Sequence, residues 1–279
     1  MTPMHGLLLQ RLLQLALAVL IAACSPLAAL DQAPKPPAWS SGCGTDSVGT
    51  WADLVVNGSV LRLRWIPPGS FTMGSPRDEA DRDQDEVQHQ VALSRGFWLG
   101  ESETTRRFFR AVMGSNPNGG EELLPVAISF EEGQQFFAKL NDGKPGLGAD
   151  FPTEAQWEYA CRAGTRGPTY APLDAAAWYL VNSLDAYGNN LVHPVKQKQA
   201  NAWGLYDMLG NAWEMTRDWY GDYPTAAVKD PPGPSSGNRH VVRGGSCRNA
   251  AGSCRAAWRW AEFPQAKGFG IRCMVPSLP

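Results

Sequence analysis

Residues 243–275 constrain the fold and the chemistry of this chain more than any other stretch. They hold three of the six cysteines, two of the eleven tryptophans and five arginines, and a glycine pair stands at 244–245. After the β-branched Val241 and Val242, two glycines permit a backbone turn in which side chains would clash. The thiols, guanidinium groups and indoles that follow would then line one place. That place is predicted to be a redox or metal site, or else a disulfide-bonded scaffold.

The composition indicates a globular protein rich in loops. The chain has 279 residues, enough for one large domain or two small ones, and a formal net charge of −2. Such a charge lacks the basic excess that is typical of nucleic-acid-binding proteins, so we expect no nucleic-acid partner. The 29 glycines and 22 prolines interrupt regular elements, whereas eleven tryptophans can hold irregular backbone in place from within the core.

Residues 1–29 have the pattern of an export signal. Arg11 precedes an uncharged apolar run at 12–23, which is too short to favour a membrane-spanning helix. Residues 21–24 (IAAC) match a lipobox, which predicts a lipid anchor through Cys24; the alternative is ordinary cleavage after Ala29. Either interpretation predicts a periplasmic protein, free or anchored in the outer membrane as a lipoprotein, in a compartment where disulfides form.

The remainder is predicted to be a linker followed by one domain. Residues 30–54 are rich in proline and glycine and predict a linker, and the domain follows at 55–279. Within the domain, alternating apolar and polar residues predict strands around 61–65 and 91–93 and at 97–99.

Three helices are predicted from their starts and stops. One spans 104–113, and capping boxes that begin at Ser129 and Thr153 start two more. In the last helix Trp157 and Cys161 lie four residues apart on one face, so Cys161 is expected to point inward and is a disulfide candidate.

Residues 201–220 (NAWGLYDMLGNAWEMTRDWY) offer oxygen ligands in a turn-rich aromatic segment. Asp207, Asn211 and Glu214 would supply side-chain oxygens and the backbone near Gly210 would supply carbonyls, a donor set that suits Ca²⁺. The alternative is a tryptophan-packed turn with solvated acids. The charge run at 77–86 is predicted to be a solvated loop, with calcium binding as its alternative.

Five segments together resemble one known family. These are IPPGSFTMGSP (66–76), FPTEAQWEYACRAG (151–164), NAWGLYDMLGNAWE (201–214), VVRGGSC (241–247) and GIRC (270–273). In content and order they resemble the formylglycine-generating enzymes, also called sulfatase-modifying factors. The resemblance implies an α+β fold of the C-type-lectin-like kind, a single compact domain with little regular secondary structure.

The resemblance also implies roles for individual residues. It implies a disulfide between Cys161 and Cys273, and a pocket lined by Trp213 and Ser246. It further implies a structural calcium site and, from a poorer match, a second one. The calcium ligands would be Asp207, Gly210, Ala212 and Glu214 in the first site and Asn182 and Ser183 in the second.

The chain departs from the family at its catalytic thiols. Catalytic members carry two pocket cysteines, five residues apart, that bind copper and activate oxygen; here these positions fall on Asn249 and Cys254. One thiolate does not provide the two-sulfur coordination that Cu(I) favours. Cys247 could restore a pair with Cys254, or the two could form a disulfide, so copper is not the expected cofactor.

Glu262 is the one carboxylate in the loop at 255–267 that would line the pocket. It stands among Trp258, Trp260 and Phe263, next to Arg259. Burial beside aromatic rings would favour its protonated form, and pairing with Arg259 its ionised form. In an aromatic cleft a carboxylate suits proton abstraction from a flat substrate, whereas the alternative is a surface glutamate in a salt bridge.

Within the family the chain resembles exported, thiol-poor members that mature the siderophore pyoverdine. That resemblance implies oxidation of a dihydro precursor to the aromatic chromophore, with Glu262 as base and O₂ as oxidant. The partners would be a peptide-derived siderophore precursor and other periplasmic maturation proteins. Two alternatives remain: a non-catalytic periplasmic partner, such as an accessory of type VI secretion signalling, and a copper–thiol formylglycine-generating oxidase.

Overall fold

The computed structural model describes residues 34–277, so the predicted export signal and the lipobox at Cys24 lie outside the described residues. The strands are β1 (Gly42–Asp46), β2 (Gly49–Val56), β3 (Ser59–Ile66), β4 (Gly69–Met73), β5 (His89–Leu93), β6 (Phe97–Gly100), β7 (Glu214–Trp219), β8 (Val228–Lys229), β9 (His240–Arg243), β10 (Arg259–Glu262) and β11 (Met274–Pro276). The helices are α1 (Arg106–Met113), α2 (Phe130–Gly143), α3 (Glu154–Arg162) and α4 (Leu173–Ala176), with a 3₁₀ turn at Ala251–Ser253.

The strands form three small sheets. The largest is antiparallel with the order β1-β2-β3-β6-β11. A second antiparallel sheet has the order β10-β9-β7, and the third has the order β4-β5-β8 with β5 and β8 parallel. Among residues 34–277 no helix is both long and apolar enough to cross a membrane.

The predicted linker at 30–54 is wrong for its second half. Residues 42–46 form β1 and residues 49–54 belong to β2, and both strands pair within the five-stranded sheet. Glycine and proline suggested flexible chain, but the alternation of β2 buries Ala52 and Leu54 completely. The compact unit accordingly begins at Pro36 rather than at residue 55.

Local sequence signals determine the helix ends. Both capping boxes form: Ser129 with Glu132 at the start of α2, and Thr153 with Gln156 at the start of α3. In each, the hydroxyl accepts from the backbone N–H three residues on, and that residue's side chain accepts from the cap N–H. The predicted starts of α2 and α3 and the predicted strands at β3, β5 and β6 are therefore confirmed.

Two hydrophobic clusters cover opposite faces of the five-stranded sheet. In β6, Trp98 packs with the cluster that includes helices α1 and α2, while Phe97 and Leu99 pack with the cluster that includes α3. Because successive side chains of a strand point to opposite faces, the sheet separates the two clusters.

This separation overturns the predicted Cys161–Cys273 disulfide. Both cysteines are buried, and both are free thiols in the structure. Cys161 belongs to the cluster on the α3 side, together with Met274, whereas Cys273 belongs to the opposite cluster with Val275. The alternation at the start of β11 thus directs the Cys273 thiol away from α3.

Salt bridges between buried arginines and acidic side chains connect these layers. Each arginine that is buried among the described residues forms a salt bridge; they are Arg64, Arg162, Arg243, Arg255, Arg259 and Arg272. In the largest such network Glu158 of α3 accepts from Arg243 of β9 at 2.6 Å and from Arg162 at 2.9 Å. The same Arg243 donates to the carbonyls of Ala256, Ala257 and Trp258, which fixes the loop before β10.

Replacing Glu158 with Gln is expected to lower the free energy of unfolding by about 3–5 kcal/mol, because two buried guanidinium groups would lose their shared countercharge. Glu122→Gln is the control, since that partly exposed carboxylate pairs with exposed Arg107 and Arg110 and should cost less than about 1 kcal/mol. Urea unfolding of the three proteins measures both changes. Equal losses in the two variants would contradict this role for Glu158.

Candidate functional site

A cavity of about 670 Å³ opens between the loop after β9, the strand β10 and the start of α1. Six of the predicted site residues line it together: Trp213, Ser246, Asn249, Trp258, Trp260 and Glu262. Residues that sequence reasoning did not place there include Arg106, Asn211, Cys247, Arg248 and Phe269.

Three indoles form the aromatic wall of this cavity. The ring centroids of Trp213 and Trp258 are 4.9 Å apart, and those of Trp258 and Trp260 are 6.0 Å apart with planes inclined by 7°. Trp260 is 52% exposed and therefore lies at the mouth. Such a ladder offers flat apolar faces to a planar ligand, with room for stacking.

The alternation of β10 determines which of its side chains enter the cavity. Trp260 and Glu262 lie two residues apart on the cavity face, whereas Arg259 lies on the opposite face. The predicted placement of Arg259 in this pocket is therefore wrong. Its guanidinium is buried and binds both carboxylate oxygens of Glu154 at 2.8 Å.

Glu262 is consequently not in a salt bridge with Arg259. One carboxylate oxygen accepts from the backbone N–H of Phe263 at 3.0 Å. Among residues 34–277 no basic group lies within 4.0 Å of this carboxylate, and no other carboxylate lines the cavity. Glu262 is thus available to interact with a molecule in the cavity.

The glycine pair packs the loop after β9 against a buried thiol. Gly245 has φ 74°, and a Cβ there would lie 2.8 Å from the Cys254 sulfur, so only glycine fits. Cys254 is fully buried and does not line the cavity, contrary to prediction, whereas its neighbour Ser253 does. At the position of the family's first thiol, Asn249 accepts from the Ser246 hydroxyl at 2.5 Å.

The two cysteines of this loop are held as thiols. Both are free, so the alternative of a Cys247–Cys254 disulfide is not realised in the structure. Burial raises the pKa of Cys254 to about 12 and also raises the pKa of Cys247. Without a bound metal, both groups are therefore neutral thiols rather than the reactive thiolate.

The side chains predicted to bind calcium do not fit the ion as they lie. Glu214 accepts from Arg272 at 2.5 Å and from the Trp157 indole at 2.7 Å. Asp207 accepts from the backbone N–H of Lys196, and burial raises the pKa of Asp207 to about 6. A calcium ion that displaced Arg272 from Glu214 would leave this buried guanidinium with the Gly100 and Tyr206 carbonyls but without its acidic partner.

The second predicted calcium site is also occupied by protein contacts. The Asn182 side chain accepts from the Tyr179 N–H and donates to the Ala177 carbonyl. The Ser183 hydroxyl lies 2.7 Å from the carbonyl oxygens of both Tyr179 and Cys247. No group of three or more His, Cys, Asp or Glu side chains in the described part of the chain is arranged to hold a metal ion.

A second cavity, of about 330 Å³, lies on the other side of β10, where Arg259 and Glu154 meet. Its wall includes Asp218 of β7, which is 5% exposed and accepts from the Glu154 N–H at 2.8 Å. Burial and, secondarily, the negative charge of Glu154 raise the pKa of Asp218 to about 7. Near neutral pH this carboxyl group is therefore partly protonated.

Asp218 is expected to make the protein less stable as the pH rises. With a folded-state pKa above its ordinary value of 3.8, its contribution is fully present below about pH 4 and is lost as the pH passes 7. Asp218→Asn should therefore gain stability over the wild type between pH 4 and pH 8, by up to about 4 kcal/mol. Urea unfolding across this range is the measurement, with the exposed Asp222→Asn as control. Parallel pH profiles for wild type and Asp218→Asn would contradict the prediction.

Comparisons with known proteins agree with the family predicted from the sequence motifs. The family model described as "Sulfatase-modifying factor enzyme 1-like domain" matches residues 57–276. The formylglycine-generating enzyme of Bos taurus is 34% identical over 151 residues, which cover 47% of this chain and 40% of that protein. The formylglycine-generating enzyme of Streptomyces coelicolor is 34% identical over 146 residues, covering 45% of this chain and 46% of that protein. The chain thus spans less than half the length of these curated relatives.

Solved structures agree on the fold. Treponema denticola variable protein 1 is 26% identical with a TM-score of 0.72, covering 81% of this chain and 99% of that one. PvdO from Pseudomonas aeruginosa has a TM-score of 0.70 over 88% of this chain and 100% of that one; at 22% identity this likeness concerns the fold alone. The predicted α+β fold, a single compact domain of this family, is confirmed. Since the family model spans most of the chain, the protein belongs to the sulfatase-modifying factor family, which includes the formylglycine-generating enzymes.

Proposed function

We propose that the protein is an oxidoreductase that converts a flat dihydro precursor of a siderophore chromophore, such as that of pyoverdine, to its aromatic form. The observation that carries the proposal is Glu262, the one carboxylate lining an indole-walled cavity, without a basic partner within salt-bridge distance in the described chain. A carboxylate in this setting can accept a proton from a ring carbon of a stacked substrate.

The proposed reaction balances with dioxygen as the oxidant. The substrate loses two protons and two electrons, and O₂ takes up two electrons and two protons to become hydrogen peroxide. Glu262 accepts one of the substrate protons, while Trp258 and Trp260 hold the ring in place. Since the product is aromatic, the oxidation is favourable, and positioning with one acid–base group can account for much of the acceleration.

The cellular setting belongs to the same proposal. The export signal predicted at 1–29 would deliver the chain to the periplasm, with Cys24 as a lipid anchor if the lipobox is used. The substrate would be a peptide-derived precursor, and other periplasmic maturation proteins would supply it. The open mouth of the cavity, with Trp260 half exposed, can accept a ring that is attached to a peptide.

Glu262→Gln is expected to lower the turnover number at least 100-fold, because glutamine cannot accept the ring proton. The measurement is peroxide release together with the mass of the siderophore, which should stay two hydrogens heavier in the variant. Glu131→Gln is the control, since that exposed carboxylate lies outside the cavity. Fully oxidised siderophore from the variant and from a strain that lacks the protein would overturn the proposal.

Cys254→Ala is expected to leave the oxidation rate within about twofold of the wild type, because the thiol is buried outside the cavity. A copper–thiol oxidase would instead lose activity, since two sulfur ligands are needed to hold Cu(I). Rate and bound copper, measured on both proteins, distinguish these mechanisms. Loss of both in the variant would favour the copper–thiol alternative.

One observation favours a second candidate, a non-catalytic partner protein such as an accessory of type VI secretion signalling. The loop beside the cavity exposes an unusual set of large apolar side chains, namely Leu180, Val181, Leu184, Tyr187 and Leu191. This loop contacts the cavity through the Leu180 N–H, which donates to the Asn249 carbonyl at 3.0 Å. Exposed apolar patches often mark binding surfaces for proteins. For such a module Glu262 would be dispensable.

A further inference from the structure

Arg106 has an unusual environment in the main cavity. It is the first residue of α1, and its side chain lines the cavity beside Pro125 and Ala127. Its Nη1 donates to the Gly119 carbonyl at 2.7 Å and its Nε donates to the Pro125 carbonyl at 3.3 Å. Gly120 has φ 67°, and a Cβ there would lie 3.2 Å from Nη1, so glycine gives the guanidinium room. Two backbone carbonyls therefore hold Arg106 in place.

No carboxylate neutralises this guanidinium. Each fully buried arginine of the described chain has an acidic partner within 4.0 Å, whereas half-buried Arg106 has none. Burial lowers the pKa of Arg106, an effect that the more distant Glu121 partly offsets. The Arg106 guanidinium is thus partly desolvated, and its hydrogen-bond acceptors are neutral carbonyl groups alone. A guanidinium has five N–H donors, and the carbonyl contacts use two of them.

The cavity has an excess of positive charge around its aromatic wall. Arg248 also lines it, is exposed, and its guanidinium forms no hydrogen bond or salt bridge with the described residues. Against these two arginines Glu262 is the single carboxylate of the lining. Phe269 and three indoles supply apolar faces. The lining therefore favours a flat ring that carries a negative charge, since planar carboxylates and guanidinium groups match in geometry.

We infer that Arg106 is a specificity-determining residue that binds a carboxylate on the flat substrate, while the indoles stack on its ring. The inference rests on the proposed function only in taking this cavity as the substrate site. Arg248 adds positive charge at the same site. The substrate class is accordingly a flat ring that carries a carboxylate, and the neutral amide of the same ring is a poor ligand.

Two probes of nearly the same shape test the inference: quinoline-2-carboxylate and quinoline-2-carboxamide. Their dissociation constants are measured by quenching of tryptophan fluorescence, or by calorimetry, on the full chain. The variants are Arg106→Gln, Arg106→Lys and, as a matched control, Arg107→Gln, whose exposed side chain pairs with Glu122 outside the cavity. Near-ultraviolet circular dichroism verifies that each variant is folded.

The wild type should prefer the carboxylate at least tenfold. Arg106→Gln should remove this preference while changing carboxamide affinity less than twofold, Arg106→Lys should retain part of it, and Arg107→Gln should leave it intact. The inference is overturned if the wild type binds both probes equally or binds neither. It is also overturned if Arg106→Gln lowers the affinity for both probes equally or for neither. Because the readout is binding, this result is independent of whether Glu262→Gln abolishes oxidation.

Discussion

Two glutamates one turn apart on α3 determine how the helix, the loop after β9 and strand β10 fit together. Glu158 binds Arg243 of β9 at 2.6 Å, and Glu154 binds Arg259 of β10 through two contacts of 2.8 Å. All four side chains are buried, so each charge depends on its partner. Such pairs tolerate little displacement, because a buried charge without its counterion costs several kcal/mol. The positions of the other residues of the site depend on these two salt bridges.

The salt bridge between Arg259 and Glu154 also determines which side chains of β10 face the main cavity. Because Arg259 faces α3, strand alternation turns Trp260 and Glu262 toward the main cavity. Glu262 is therefore left without a salt bridge to Arg259, the nearby arginine that could have paired with it. At the loop after β9, Asn249 replaces one thiol of the catalytic family members and Cys254 is buried out of reach. The described lining of the cavity therefore combines indoles, two arginines, one carboxylate and the Cys247 thiol.

Much of the local structure could be predicted because its causes lie within a few residues. Capping boxes begin α2 and α3 where the Ser129 and Thr153 patterns indicate, and period-two alternation identifies β3. The failures have longer-range causes. Proline and glycine in residues 30–54 suggested a linker, yet pairing with β3 makes β2 a strand. The Cys161–Cys273 disulfide failed because a sheet separates the two thiols. The calcium site stays a prediction; the sequence did not indicate that Glu214 also binds Arg272, 58 residues away.

The sequence by itself determined the family, the helix and strand starts, and the composition of the loop that supplies Trp258, Trp260 and Glu262. Only the tertiary structure decided which charged groups pair with each other and which face the cavity. Arg259 looked available and is bound to Glu154, 105 residues away. Arg106 carried no sequence signal, yet it lines the cavity and has no acidic partner within 4.0 Å among the described residues. The physical reason is that a charge finds its partner through packing of distant segments, which local patterns do not encode.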